Sequence, residues 1–328
     1  MVAGPGAPYV GGMTSPAILD AGRPDVPDLV VPRGIVPFHL PGRPVRGRLV
    51  RLGRLAEALL ARHDNHPVVS RLSGQALALV AALASALKFQ GSFSMQAKGD
   101  GAVEMLLADC TASGELRFYA RTDTDRLAHL LGGNPQPDAG ALLGQGVIAF
   151  TADQGPDMDR YQGIVDLTGR SLAEMTHHYF ATSEQLRSVI RLEAAQTAQG
   201  WRAAALVLER VAGAGGVDPA LDEAAQDDAW TTATTLAATL TEQEMLDDEL
   251  APETLLWRLF GTQGVATDSP RALAFGCRCS RQRLAGILEG FDVADLDHMT
   301  VGEDIVMTCE FCNHDFRFPR ADVRGRDQ

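Results

Sequence analysis

The placement of the cysteines constrains this chain more than any other feature. Four of the five, Cys277, Cys279, Cys309 and Cys312, fall in the last 52 residues, as Cys277-Arg-Cys279 and, 29 residues later, Cys309-Glu-Phe-Cys312. A secreted disulfide scaffold spreads its cysteines through a small chain, whereas two close thiol pairs are the donor set of a tetrahedral metal site. Four thiolates fill every position around a Zn²⁺ ion at about 2.3 Å and leave no room for a catalytic water, so the predicted site is structural. The Cys309–Cys312 knuckle lies between Asp304-Ile-Val-Met-Thr308 and Asp315-Phe-Arg-Phe318, which predicts the tip of a short hairpin, and residues 283–288 predict one short helix. A module of about 50 residues buries little apolar surface, and structural zinc supplies such modules with about 10–16 kcal/mol of apparent binding energy. The Cys-x-Cys half departs from a ribbon built on two Cys-x-x-Cys knuckles, and metal-held thiolates are one oxidation away from a disulfide. Spacing alone leaves both a fixed structural ribbon and a redox switch open.

Upstream of this cluster the patterning changes twice. Residues 76–87 are apolar on nearly every side, as a helix buried against a sheet is. Three stretches follow, 92–98, 102–109 and 115–121, separated by Gly99-Asp100-Gly101 and Ala112-Ser113-Gly114. Period-two alternation between tight glycine turns predicts an antiparallel meander with Phe93, Met95 and Ala97 facing the core. Residues 146–152 and 160–167 predict a further strand pair joined through Gly155-Pro156-Asp157. Ser171-Leu-Ala-Glu174 is a capping box opening a helix expected to run to about Ile190, and a strand over 201–210 is expected to close the domain. The predicted class is α+β, an antiparallel sheet packed with helices.

From residue 211 to 257 there is no Lys or Arg, while eleven Asp or Glu lie between 218 and 253. Such a segment cannot form Glu–Lys pairs within a helix. Six threonines between Trp230 and Thr241 each cost up to about 0.7 kcal/mol of helix propensity relative to Ala. Two readings fit this composition: a solvated helical connector, or a segment held folded by its neighbours and released when they let go. The expected organisation is a Gly/Pro-rich disordered tail (1–30), an α+β body (31–211), an acidic metastable helical linker (212–270) and a four-cysteine zinc module (271–328).

Other signals exclude functions. A formal charge of −13, and ten acids against seven arginines over 277–328, disfavour nucleic acid, which needs clustered cations. Gly144-Gln-Gly146 precedes a strand rather than a helix, and there is no Walker-type Gly-Lys-Ser/Thr, so neither a dinucleotide nor ATP is indicated. Cys110 reads as a small buried apolar residue, and His177-His178 as packing residues, since they lack His-Glu-x-x-His order. The apolar stretch 72–87 is broken by Ser73, Gln75 and Ser85 and falls short of the about 20 residues a bilayer crossing needs. Residues 1–29 have no basic start followed by an apolar run, so no signal peptide is expected. These features predict a cytoplasmic protein that is not an enzyme.

Several stretches together resemble the 33 kDa chaperonin family, the bacterial redox-regulated heat-shock holdases. They are Lys98-Gly-Asp-Gly101 with Ala108-Asp-Cys-Thr-Ala112, Asp153-Gln-Gly-Pro-Asp-Met158 with Tyr161-Gln-Gly-Ile164, Ser171-Leu-Ala-Glu-Met175 with Ser183-Glu-Gln-Leu186, and Cys277-Arg-Cys-Ser-Arg281 with Cys309-Glu-Phe-Cys-Asn313. The resemblance spans roughly residues 45–320. Phe316 stands where the family usually has Tyr, and the tail before Val31 is an addition. The resemblance implies an inactive reduced monomer holding one Zn²⁺ through Cys277, Cys279, Cys309 and Cys312. It further implies that oxidants, usually with heat, form Cys277–Cys279 and Cys309–Cys312 disulfides and expel the zinc. The module and linker then unfold, and a chaperone that tends to dimerise binds unfolding client proteins without ATP. The competing reading is a structural zinc ribbon serving as an interaction module on an unrecognised enzyme domain.

Overall fold

Alternation and capping residues place most elements where the sequence predicts them. The computed structural model describes residues 29–87, 91–155, 158–184, 186–211, 218 and 222–324. The expectations for the tail before residue 29 and for the Pro156-Asp157 turn lie outside the described residues. The described residues form two compact units, 29–277 with Glu310–Cys312, and 278–309 with 313–324.

The larger unit begins with strands β1 (Val30–His39) and β2 (Val45–Arg51), then helices α1 (Arg54–Leu60) and α2 (Pro67–Ala84). The predicted meander follows as β3 (Ser92–Gly99), β4 (Val103–Thr111) and β5 (Glu115–Thr122), all antiparallel, with Phe93, Met95 and Ala97 buried. Helices α3 (Thr124–Gly133) and α4 (Ala139–Leu143) lead to β6 (Gly146–Asp153), which pairs with β7 (Tyr161–Asp166). Ser171 caps α5 (Leu172–Tyr179) by accepting the Glu174 amide. This helix does not reach Ile190. It closes with one π-helical turn, Phe180–Glu184, and Ile190 lies in β8 (Ser188–Thr197), antiparallel to β9 (Gly200–Arg210). Buried and half-buried positions alternate along β8, so sheet pairing overrides the continuation that the capping box suggested. Nor does β9 close the domain. After helices α6 (Glu223–Ala238), α7 (Glu242–Leu246) and α8 (Pro252–Phe260), the chain returns to the sheet as β10 (Ala266–Thr267) and β11 (Arg271–Phe275).

The main sheet has eleven strands, ordered β7-β6-β3-β4-β5-β11-β1-β2-β9-β8, with β10 beside β1. Strand β11 joins its halves, antiparallel to β1 and parallel to β5. Close backbone approach makes this seam possible. A Cβ on Gly114, whose φ is +89°, would lie 2.2 Å from the Ala272 carbonyl, and one on Gly276 would lie 2.6 Å from the Glu115 Cβ. Glycine is the residue that fits both sites. Helix α2 has the length and composition of a membrane span, but 78% of it is buried within the protein, where it packs on β4, β8 and β9.

All nine residues of β9 from Trp201 to Glu209 are buried because the strand is covered on both faces. On one face Gly74 of α2 approaches Ala194 and Ala203. On the other, Ala204, Leu206 and Leu208 share a core with Val36, Phe38, Leu40, Val45 and Leu49 and with Trp230, Ala233, Ala237, Leu240, Met245, Leu255, Leu256 and Phe260. The acidic segment is therefore no solvated connector. Its helices are held by burial, with Trp230 6% and Phe260 0% exposed and Phe260 stacked 5.5 Å from Phe38. Asp222 caps α6, and Thr241 with Glu244 forms a complete capping box on α7, so local signals set the helix starts while packing stabilises them.

Trp230→Ala should weaken linker docking by about 3–5 kcal/mol, the usual cost of emptying a buried Trp site, read as faster amide hydrogen exchange across residues 223–260 with β3 and β4 unchanged. Stability should also depend on pH through two carboxylates. Burial, reinforced by the charge of Glu242, raises the pKa of Glu193, so its ionisation costs the folded state stability above that pKa. The hydrogen bond from Arg187, with Arg210 adding to it, lowers that of Asp227, so its ionisation stabilises the fold and that gain is lost as pH falls through the lowered value. At pH 7 Glu193→Gln should raise the melting temperature and Asp227→Asn lower it. The Glu193 difference should shrink as pH falls toward the ordinary carboxylate range of about 4, whereas the Asp227 difference should persist down to that range and shrink only below it.

Candidate metal centre

Strand β11 runs from the sheet seam through Gly276 directly into Cys277, so a backbone fixed by pairing on both sides carries the first thiol. After Cys279, Ser280 caps α9 (Arg281–Leu288) by accepting the Arg283 amide. Helix α10 (Val293–His298) follows, then a small antiparallel sheet of β12 (Thr300–Val301), β13 (Asp304–Cys309) and β14 (His314–Pro319). The predicted hairpin is β13–β14, and Cys309 ends its first strand. Asn313, with φ +50°, takes the left-handed conformation that turns the knuckle, and its amide donates to the Cys309 carbonyl at 2.7 Å. The predicted helix at 283–288 forms within α9, while α10 was not foreseen.

The apolar core of the smaller unit is slight: Leu288, Leu296, Ile305, Phe316 and Phe318 are its fully buried large side chains. Phe316 is 2% exposed and meets the His314 ring edge-on at 4.9 Å. The Arg281 guanidinium lies 4.5 Å from the centre of the Phe318 ring, and Arg320 pairs with Asp297 at 2.7 Å.

The four Sγ atoms of Cys277, Cys279, Cys309 and Cys312 lie within 4.8 Å of one another, three of the residues being buried and Cys279 half-buried. Tetrahedral bonds of about 2.3 Å place sulfurs about 3.8 Å apart, so the cluster has the size of a four-thiolate metal site. Its donor set is all sulfur, the preference of soft or borderline metals over Mg²⁺ and Ca²⁺. The sequence thus foretold which side chains gather. The remaining candidates stay apart from this cluster. Cys110 is buried in β4 opposite Phe93, and its thiol donates to the Thr111 carbonyl. His177 and His178 occupy the last turn of α5, and Gly144 ends α4 ahead of β6.

Sequence reading missed the arginines that meet the acidic segment from strands of the sheet. The signal was present as Arg187 and Arg191 in a period-two run and Arg202 and Arg210 bracketing β9, but their partners lie 17–49 residues away in sequence. Arg51, whose partners are more distant still, is deep enough that burial lowers its pKa.

The chain is similar to known proteins over most of its length. The family model described as Hsp33 protein matches residues 34–319. A "33 kDa chaperonin" of Caulobacter vibrioides is 40% identical over 285 residues, covering 85% of this chain and 92% of that one. One of Pseudomonas fluorescens is 35% identical over 280 residues, covering 85% and 88%. In fold, the chain is similar to the crystal structure of the 33 kDa chaperonin from Thermotoga maritima, with a TM-score of 0.70 at 20% identity, over 89% of this chain and 96% of that one. With a family model spanning the sheet, the linker and the cysteine cluster together, this chain belongs to the Hsp33 family of 33 kDa chaperonins.

Proposed function

We propose that this chain is a redox-regulated, ATP-independent holdase that binds unfolding proteins and prevents their aggregation under oxidative and heat stress. The observation that carries the reading is the presence, in one chain, of a four-thiol cluster and an apolar sheet face covered by a segment that has eleven acids and no base before Arg258. In the reduced state one Zn²⁺ per chain is held by Cys277, Cys279, Cys309 and Cys312, and the protein is an inactive monomer. Zinc there supplies folding energy to a module whose own core is small.

Activation is an oxidation of this chain's thiolates. Cys277 with Cys279, and Cys309 with Cys312, each give two electrons to one peroxide, which takes up two protons and leaves as two waters while one S–S bond forms. The sulfurs then no longer ligate, and the module loses stabilisation of order ~10 kcal/mol. The linker, which depends on docking, loses structure with it. Its departure uncovers Phe38, Leu49, Leu206 and Leu208, an apolar patch of the kind that captures unfolded chains. A second copy competes for the same surface, so the oxidised form dimerises. The setting is the cytoplasm, where thiols stay reduced until an oxidant arrives, and no nucleotide, nucleic acid or membrane takes part.

Two measurements test the reading. Metal analysis of reduced protein should give one zinc per chain, lost in a Cys277→Ser, Cys279→Ser double variant and kept in Cys110→Ser. Light scattering of a heat-denatured client should show protection after peroxide treatment, none from the reduced zinc-loaded form, no need for ATP, and reversal by reductant plus zinc. Equal protection by the reduced form would instead favour a fixed structural ribbon.

A further inference from the structure

The face beneath the linker carries charge as well as apolar surface. Residues two apart on a strand share a face, and the register aligns Val189 with Leu208, Arg191 with Leu206, and Leu49 with Leu206. On the linker side this sets an apolar stripe beside six guanidiniums, those of Arg33, Arg51, Arg187, Arg191, Arg202 and Arg210. Arg33 pairs with Glu253, Arg202 with Asp248 at 2.6 Å, and Arg187 and Arg210 both with Asp227. Arg191 donates to the Ala238 and Leu240 carbonyls at the end of α6, and Arg51 to those of Glu244 and Leu250. The Ala238, Leu240 and Glu244 carbonyls lie at the C-terminal ends of α6 and α7, where a cation is favoured, and Leu250 lies in the turn before α8. Among the described residues of β1, β2, β8 and β9 that face the linker, Glu193 is the acid. The present occupant matches this surface, having an apolar side, eleven acids and no base between residues 211 and 257.

Resting on the holdase reading above, we propose that the vacated face selects its clients by charge, taking segments that are apolar and acidic and poor in Lys and Arg, docked where the linker was. When the linker leaves, its carboxylates and helix-end carbonyls go with it, and beside the apolar stripe remain six guanidiniums, of which Arg191 keeps a partner in Glu193 at 3.6 Å. A segment of the linker's own chemistry restores those pairs. A basic segment of equal apolarity sets like charges together, which discriminates more strongly than the attractive pairs bind.

The test uses the full-length chain and two synthetic peptides with a neutral fluorophore. One carries residues 222–260 of this chain, and the other is the same sequence with every Asp and Glu replaced by Lys. Fluorescence anisotropy with oxidised protein at low salt should give about tenfold tighter binding of the acidic peptide, what two or three partly exposed ion pairs supply. The gap should narrow in 0.5 M NaCl and in an Arg33→Glu, Arg187→Glu variant, whose side chains are each 56% exposed. A Phe260→Ser variant, which loosens the linker without oxidation, should show the same selectivity while reduced. Equal binding of the two peptides by oxidised protein that still protects clients overturns the charge selection and leaves the holdase reading intact. Selective binding by Phe260→Ser, with no protection by the oxidised wild type, upholds the surface and defeats the redox reading. Binding of neither peptide to either form overturns the proposal.

Discussion

A helical segment that bears eleven acids before its first base, Arg258, cannot neutralise itself, and the docking of α6, α7 and α8 follows from that constraint. Their charges are met from outside, by arginines projecting from β1, β2, β8 and β9, and their apolar side chains fill one face of the same strands. Threonine-rich α6 is stabilised by where it lies rather than by its own propensity: Thr231, Thr234, Thr235 and Thr239 turn their hydroxyls back onto main-chain carbonyls of their own helix while Trp230, Ala233 and Ala237 pack downward. The docked state is therefore non-local, and its free energy sits in contacts that are all lost together if the segment lifts away.

The same strands show what any cover of this face has to supply. Strand β9 is apolar on both faces, so one face always needs a cover, and the arginines at its ends and on β8 need acceptors. Glu193, its pKa raised by burial beside Glu242, is the point where the fit is imperfect. The interface thus combines apolar burial and several ion pairs with one acid, Glu193, whose charge the charge of Glu242 disfavours.

The four-cysteine cluster depends on different physics. Five large apolar side chains are a small core for residues 278–324, and the four sulfurs gathered at one point provide the missing cross-link when a metal joins them. The centre begins where β11, held between β5 and β1, passes through Gly276 into Cys277. A side chain at 276 would collide with Glu115, so the geometry that delivers the first thiol depends on a glycine at the sheet seam.

Local chemistry was legible in the sequence because it acts over a few residues. The meander turns, the Ser171 cap, the knuckle at 309–312 and the identity of the four thiols all follow from spacing and residue type, and the structure places them as expected. The capping box misled only beyond its reach: it fixed where α5 starts, while pairing with β9 decided that Ile190 is in a strand. The partners of Arg51, Arg202 and Asp227, the return of β11 to the sheet, and the choice between solvated connector and docked cover had no local signature. They are settled by contacts between residues tens to hundreds apart, whose energy exists only once the sheet has formed. The sequence alone determined which thiols pair up along the chain and that residues 211–257 carry acids they cannot neutralise among themselves; the tertiary structure decided that those residues are docked rather than solvated, because burial and charge pairing across elements outweigh intrinsic helix propensity.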